Sequence, residues 1–191
     1  MTDLEAALSA LLSGDDSQAE SAIAALAAQG PCTLPRLLTF LDDPLSDRRW
    51  WAARALAAIT DPRVAPALRR ALADPDPGVR QCAALGLRQQ PDPAAASDLV
   101  RLLHDPDRLT ARLSGDALAA LGAPATPLLI EALADPQAAV RIEAARALAC
   151  AQDKQSIEAL IAAVDDPSAL VQYWAEEALD RMGVGMVYFK P

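Results

Sequence analysis

Residues 135–148, which read DPQAAVRIEAARAL, contain the pattern that decides the fold of this 191-residue chain. The Asp-Pro pair that opens the stretch occurs five times, at intervals of 31, 31, 30 and 31 residues: Asp43-Pro44, Asp74-Pro75, Asp105-Pro106, Asp135-Pro136 and Asp166-Pro167. Self-similarity at a fixed period of about 20 to 50 residues is typical of solenoids, whose repeats bury their apolar faces against one another. The period therefore predicts a stack of similar units.

Each unit is predicted to be a helical hairpin. Apolar residues stand three, six, seven and ten places before the proline, as in Leu41, Leu38, Leu37 and Leu34, and this spacing places them on one helical stripe. Asp-Pro ends that helix, because proline disfavours the helical region for the residue before it. A second helix of about 16 residues follows, with a small residue eight places after the proline and Leu at twelve. Hydrophobic residues make up 52% of the chain but aromatics only 4%, which favours an all-α core of Ala and Leu.

Gly and Pro between the hairpins mark the connections and divide the chain into about six units. We predict one domain over residues 1–183, followed by an apolar C-terminal tail at residues 184–191. The first hairpin has no Asp-Pro pair and is predicted as an atypical terminal unit. The hairpins are expected at residues 1–30, 31–60, 61–90, 91–122, 123–150 and 151–183.

The stretch Asp135-Pro136, Val140-Arg141, Ala144-Ala145 and Leu148 resembles the HEAT repeat, in particular the short bacterial form named after phycobilisome lyases. The resemblance covers about residues 30–183 and implies a right-handed α-solenoid. It also implies a structural ladder along the stack between the turn Asp and the Arg six residues later. The matching pairs are Asp43 with Arg49, Asp74 with Arg80, and Asp135 with Arg141. Ala111 and Gln172 replace the Arg in two units and should interrupt the ladder.

Charge and cysteine content limit the possible classes of protein. A formal net charge of −9 argues against nucleic-acid binding, which depends on Lys and Arg neutralising phosphates. The three cysteines are far apart and form no CxxC pair, as expected in a reducing compartment. The acidic N-terminus does not resemble a signal peptide, and no apolar run approaches the roughly 20 residues of a membrane helix. These features predict a cytoplasmic protein without membrane insertion.

A candidate binding surface lies on the second helices, six and ten places after each turn proline. These positions are opposite the predicted buried stripe and would line the concave side of a HEAT-like array. We call them the ridge, and we expect exposed apolar and Arg side chains there to contact a partner, because aromatic residues and Arg are enriched at binding hot spots. Trp51 and Trp174, one place further on, are expected to pack between hairpins. The predicted contact residues are Trp50, Arg54, Leu85, Arg112, Ile142, Arg146 and Tyr173.

Neither a catalytic site nor a metal or cofactor site is predicted. His104 is the only histidine, and it is expected to be a solvated turn residue beside Asp105. We find no nucleophile motif and no Gly-rich phosphate loop. Cys82 is expected to be a small buried residue rather than a reactive thiol. The tail contains Met186, Tyr188 and Phe189, which are expected either to cap the last hairpin or to contact a partner.

Three functional hypotheses remain open at this stage. The first is a non-enzymatic scaffold, adaptor or assembly factor that binds another protein along the ridge. The second follows from the resemblance: a component of a bilin lyase or a phycobilisome maturation factor, with Arg54, Arg112 and Arg146 available to the propionates of a tetrapyrrole. The third is DNA recognition in the manner of HEAT-like glycosylases, which the negative charge disfavours.

Overall fold

The computed structural model describes residues 3–184, and the regular structure in that range is helical without strands. This confirms the all-α class. No helix of the described range is long and apolar enough to cross a membrane. Short 3-10 turns stand at Gly30–Thr33, Pro93–Ala95, Leu102–His104 and Lys154–Ser156. The α-helices are α1 Asp3–Leu11, α2 Asp16–Gln29, α3 Leu34–Phe40, α4 Ser46–Ala57, α5 Val64–Ala71, α6 Pro77–Gln89, α7 Ala96–Arg101, α8 Arg108–Leu121, α9 Thr126–Ala132, α10 Ala138–Ala151, α11 Ile157–Ala163 and α12 Ala169–Arg181.

The Asp-Pro turns work through the aspartate side chain as well as the proline ring. In all five turns Oδ1 of the aspartate accepts the N–H of the residue two places on, at 2.8 to 2.9 Å. This bond closes an Asx turn, which satisfies a main-chain donor while the chain reverses. Asp76 and Asp107 then cap α6 and α8 by accepting the N–H of Val79 and of Thr110. The repeated dipeptide therefore ends one helix and prepares the next.

The chain divides into two compact units, of which the first comprises residues 1–90 and contains α1 to α6. Leu37 and Leu68 of the predicted stripe are fully buried here, as are Leu56 and Leu87 from the second helices, whereas Leu38 is half-buried. Gly86 allows close packing, because a Cβ at this position would lie 2.6 Å from Cδ1 of Leu68. Small residues thus set how closely the helices of this unit approach.

The second unit comprises residues 91–191 and is described up to residue 184, with α7 to α12. Its buried leucines repeat the pattern of the first unit: Leu99, Leu129 and Leu160 come from the first helices of the hairpins, and Leu118, Leu148 and Leu179 from the second. Alanines such as Ala144, Ala145 and Ala175 fill the contacts between helices and are fully buried. Leu and Ala therefore form the core, as the composition predicts.

Candidate functional site

The arginine ladder of the first unit connects successive repeats. Nε and Nη2 of Arg49 donate to the two carboxylate oxygens of Asp74 at 2.7 and 2.8 Å, and both side chains are largely buried. Nη1 of Arg49 also donates to the main-chain carbonyl of Asp43 at 3.0 Å. Arg80 makes the same carbonyl contact with Asp74 at 2.8 Å. Each predicted Asp and Arg pair thus meets through the main chain, and the carboxylate that Arg49 binds belongs to the next repeat.

The second unit contains an equivalent pair of an Arg and the turn Asp of the next repeat, which we call a rung of the ladder. Arg141 donates to both carboxylate oxygens of Asp166 at 2.8 and 3.0 Å, and to the carbonyl of Asp135 at 2.9 Å. The hydrogen bonds from Arg141 hold the pKa of Asp166 below its usual value. Gln172, which stands where other repeats have Arg, keeps the carbonyl bond and donates from Nε2 to Asp166 O at 2.7 Å. The ladder arginines are therefore engaged within the protein and do not form part of the candidate partner site.

One repeat has Ala111 in place of the ladder arginine, and there His104 contacts the turn Asp of the next repeat. Its Nε2 lies 3.2 Å from Oδ2 of Asp135, the carboxylate equivalent to Asp74 and Asp166. His104 is 42% exposed and Asp135 only 16%. The histidine is exposed, as expected of a turn residue, and it also has a carboxylate partner in Asp135.

Restoring the arginine at this rung should stabilise the protein. We expect Ala111→Arg combined with His104→Ala to raise Tm by roughly 1 to 3 °C, because an Arg can bind both oxygens of Asp135. His104→Ala alone should lower Tm slightly. Thermal unfolding followed by circular dichroism measures both variants beside the wild type. A double variant less stable than His104→Ala would show that Asp135 is not the missing arginine's partner.

The ridge of the first unit consists of Trp50 and Arg54 on α4 and Leu85 on α6. Trp50 is half-buried, with its ring edge-to-face against Trp51 at 4.6 Å between centroids. It also covers Gly78, where a Cβ would lie 3.3 Å from Cδ1 of the indole. Leu85 is 38% exposed. Trp50 is thus partly a packing residue, whereas Leu85 presents an apolar side chain to solvent.

Charged and thiol groups beside this ridge are already engaged or unreactive. Nη2 of Arg54 donates to Oε1 of Glu20 at 2.6 Å, which links α4 to α2. Burial raises the pKa of the Cys82 thiol to about 12, so Cys82 stays protonated near neutral pH and is a poor nucleophile. The arrangement offers apolar contact and a half-exposed ion pair rather than covalent chemistry.

The ridge of the second unit contains Arg112, Ile142 and Tyr173 on α8, α10 and α12. Arg112 is exposed and Ile142 is half-buried. Tyr173 is 54% exposed and stands edge-to-face against Trp174, with 5.1 Å between ring centroids. These side chains can contact a partner through apolar and aromatic surface.

Arg146 differs from the prediction, which treated its guanidinium as an exposed contact. It is only 4% exposed, and it donates to Asp116 at 2.5 Å, to Glu143 at 2.8 Å and to the carbonyl of Arg112 at 2.8 Å. Burial lowers the pKa of Arg146, but the bonds to Asp116 and Glu143 raise it by more, so the guanidinium remains charged. Gly115 provides the space, since a Cβ there would lie 3.1 Å from Nη2. Arg146 therefore joins α8 to α10 and is not available for contact with a partner.

Two exposed leucines belong to the same surface and were missed from the sequence. Leu109 is 50% exposed and Leu170 is 56% exposed. Each stands three residues before a ridge position, Arg112 and Tyr173 respectively, and residues three apart on a helix share a face. That spacing was a usable signal in the sequence. The tail residues Met186, Tyr188 and Phe189 lie outside the described residues.

Metal-binding capacity and free thiols complete the description of the site. No group of three or more His, Cys, Asp or Glu side chains between residues 3 and 184 could hold a metal ion. Cys32 and Cys150 are exposed thiols, but Cys32 donates to a main-chain carbonyl within its own turn.

Comparison with known proteins identifies the repeat. The family described as HEAT repeats matches residues 4–88, 34–119 and 101–180. Among curated proteins, none matches the sequence. An engineered protein solved by X-ray crystallography is 25% identical over 97% of this chain and 98% of its own, with a TM-score of 0.56.

Two natural proteins of known structure are also similar. The complex of CpcE and CpcF of phycocyanin lyase from Nostoc sp. PCC7120 contains a chain 29% identical, covering 75% of this chain and 96% of that one, with a TM-score of 0.62. YIBA_ECOLI is 23% identical over 94% of this chain and 70% of its own, with a TM-score of 0.63, and this likeness shows the fold alone.

Proposed function

This chain belongs to the HEAT repeat family, and on that premise we propose that it is a non-enzymatic scaffold that binds a partner protein through the exposed side of its second helices. The main support for the proposal is that large apolar side chains are exposed on this side of the second helices. They are Leu85 in the first unit and Leu109, Leu170 and Tyr173 in the second. Exposed large apolar residues on one face are characteristic of interaction surfaces.

Chemistry on the same surface supports binding over catalysis. Two of its three arginines, Arg54 and Arg146, are used in internal ion pairs, and the buried thiol of Cys82 has a raised pKa. Apolar and aromatic groups remain for a partner, and such groups provide most of the binding energy at protein interfaces. The natural relative from Nostoc is itself part of a complex of two proteins, CpcE and CpcF.

The proposal is tested by placing a charge at one exposed apolar residue in each unit. We expect Leu85→Glu and Tyr173→Glu each to reduce recovery of the partner at least about tenfold, because an apolar hot spot contributes roughly 2 kcal/mol or more. The readout is affinity capture from a native lysate with mass spectrometry of the eluate. Leu85 is a cleaner target than Trp50, whose indole also packs against Gly78.

Ser97→Glu is the matched control, because Ser97 is exposed on the first helix α7, away from the ridge. It adds the same charge and should recover the same protein as the wild type. Circular dichroism of all three variants establishes that they remain folded. If the folded ridge variants recover as much partner protein as the wild type, the proposal is wrong.

A second candidate function is a component of a bilin lyase, favoured by the 29% identity to the phycocyanin lyase complex. In that reading the ridge would hold a tetrapyrrole with its propionates on arginines. The geometry offers Arg112, which is exposed, but Arg146 is buried and Arg54 is bonded to Glu20. Mixing the protein with free bilin distinguishes the two readings: a shift of the bilin absorption that Arg112→Ala abolishes supports the lyase reading, and an unchanged spectrum supports the scaffold.

A further inference from the structure

The second unit has two groups of exposed charges, of opposite sign, on its second helices. Arg108 and Arg112 are exposed on α8, one turn apart, and we call them the basic group. Glu176 and Asp180 are exposed on α12 and form the acidic group. They stand three and seven residues after Tyr173 and therefore share its helical face. The aromatic ring on α12 is thus exposed beside carboxylates.

Helix α10 lies between the two groups. Arg146 of α10 donates to the carbonyl of Arg112 on α8. Arg181 of α12 donates to the carbonyl of Ala149 on α10 at 3.4 Å. Packed helices lie about 8 to 10 Å apart, so roughly 16 to 20 Å separates the basic group from the acidic group. The apolar side chains that are exposed or half-buried on this surface are Leu109, Ile142, Leu170 and Tyr173.

Both groups lower the stability of their own helices. Like charges four residues apart on a helix repel each other, and each group has this spacing. Arg108 is also the first residue of α8, where the helix dipole disfavours a cation. Asp180 lies in the last turn of α12, where the dipole disfavours an anion. The charges are therefore placed against the preference of the helices that contain them.

Ion pairs within the described residues do not offset this cost. The ion pairs made from α8 and α12 in that range are Asp116 with Arg146 and Glu177 with Arg181, and neither includes a residue of the two groups. Solubility does not require the arrangement, because interspersed charges of both signs keep a surface soluble. Charges that destabilise their helices and have no internal partner are suited to a partner outside the chain.

We infer that the partner protein binds the second unit through a dipolar segment, with Asp or Glu against the basic group, apolar residues over Ile142, and Lys or Arg against the acidic group. This inference states the chemistry of the partner and rests on the proposed function. Tyr173 suits the cationic end, because a cation is attracted to the face of an aromatic ring. About six extended residues, or about 12 helical ones, span the distance between the groups.

Binding of synthetic peptides tests the charge pattern. The fluorescein-labelled peptides share a centre of about six alternating Leu and Ser residues and differ in the charged pair at each end. The dipolar peptide has Glu at one end and Lys at the other and is made in both chain directions. The all-lysine and all-glutamate peptides have the same charge at both ends. Fluorescence anisotropy at low ionic strength, where screening is weak, measures their affinities for the full chain.

We expect the better dipolar peptide to bind about fivefold more tightly than the all-lysine peptide, and the all-glutamate peptide to bind most weakly. General attraction to a chain of net charge −9 would instead favour the all-lysine peptide. The expected order therefore depends on the basic group and does not follow from the net charge.

Charge variants locate the effect on the two helices. Arg108→Ala with Arg112→Ala should make the all-lysine peptide the tightest, because the basic group is lost while α12 stays acidic. Glu176→Lys with Asp180→Lys should make the all-glutamate peptide the tightest. Circular dichroism establishes that each variant remains folded.

The matched control is Glu131→Lys with Glu158→Lys, which makes the same change in charge at exposed residues of the first helices α9 and α11. This control should keep the wild-type order of affinities. The inference is overturned if the wild type binds the peptides equally, if it prefers the all-lysine peptide, or if it binds none of them at concentrations up to about 1 mM.

Partner capture separates this inference from the scaffold proposal. If the wild type does not prefer the dipolar peptide while Leu85→Glu and Tyr173→Glu still reduce capture, the charge pattern is wrong and the scaffold function stands. If the dipolar peptide is preferred while both ridge variants capture as much partner protein as the wild type, the second unit selects this charge pattern and the scaffold proposal is wrong.

Discussion

Replacing Arg146 with alanine is expected to lower the free energy of unfolding by about 3 to 5 kcal/mol, because it breaks a buried ion pair by removing one partner. The guanidinium is 4% exposed and binds Asp116, Glu143 and the carbonyl of Arg112. Arg146→Ala leaves the carboxylates of Asp116 and Glu143, 21% and 19% exposed, without their cation. Chemical denaturation measured by circular dichroism gives the change in the free energy of unfolding.

Arg112→Ala is the matched control, since Arg112 is an exposed ridge arginine on the neighbouring helix α8. Exposed surface substitutions usually change stability by less than about 0.5 kcal/mol. Adding Asp116→Asn and Glu143→Gln to Arg146→Ala should recover part of the loss, because the uncompensated charges are then removed. A loss no larger for Arg146→Ala than for Arg112→Ala would mean that the guanidinium is exposed on the ridge, as its place in the sequence predicts.

The helices could be predicted from the sequence because their signals are local. An Asp-Pro pair acts on its own turn: proline disfavours the preceding helix, and the Asp carboxylate accepts an N–H only two residues away. The leucine seven places before the proline is fully buried at Leu37, Leu68, Leu99, Leu129 and Leu160. A spacing of 3.6 residues per turn is enough to place such residues on the core side.

The burial of Arg146 could not be predicted in the same way. Helical periodicity assigns a residue to a direction around its own helix, but depth depends on what the neighbouring helix presents there. Here α8 presents Gly115, which leaves room for the guanidinium, and Asp116, which binds it. The ladder partner of Arg49 was unpredictable for a related reason, since Asp74 is 25 residues away and meets it only once the hairpins stack. The role of His104 depends on the same stacking, which brings it to Asp135.

The rung between Arg141 and Asp166 should contribute stability that depends on pH. We expect Arg141→Ala to lower Tm by roughly 4 to 8 °C at pH 7, since charge-assisted bonds to both oxygens of Asp166 are lost and the carboxylate, 10% exposed, stays largely buried. Arg48→Ala is the control, because Arg48 is 45% exposed in its pair with Asp43 and should change Tm little. Differential scanning calorimetry at several pH values provides the measurement.

The sign of the pH dependence follows from the direction of the shift at Asp166. Its pKa in the folded protein is lowered by the bonds from Arg141, whereas an unfolded Asp titrates near about 3.9. Stability from a lowered carboxyl pKa is fully present above the unfolded value and is lost as the pH falls through the folded one. The gap in Tm between wild type and Arg141→Ala should therefore be constant from about pH 6 to 8 and should narrow below about pH 4. A gap that stays undiminished in acid would mean that Arg141 stabilises the protein through its carbonyl bonds to Asp135 and Pro136, not through the carboxylate of Asp166.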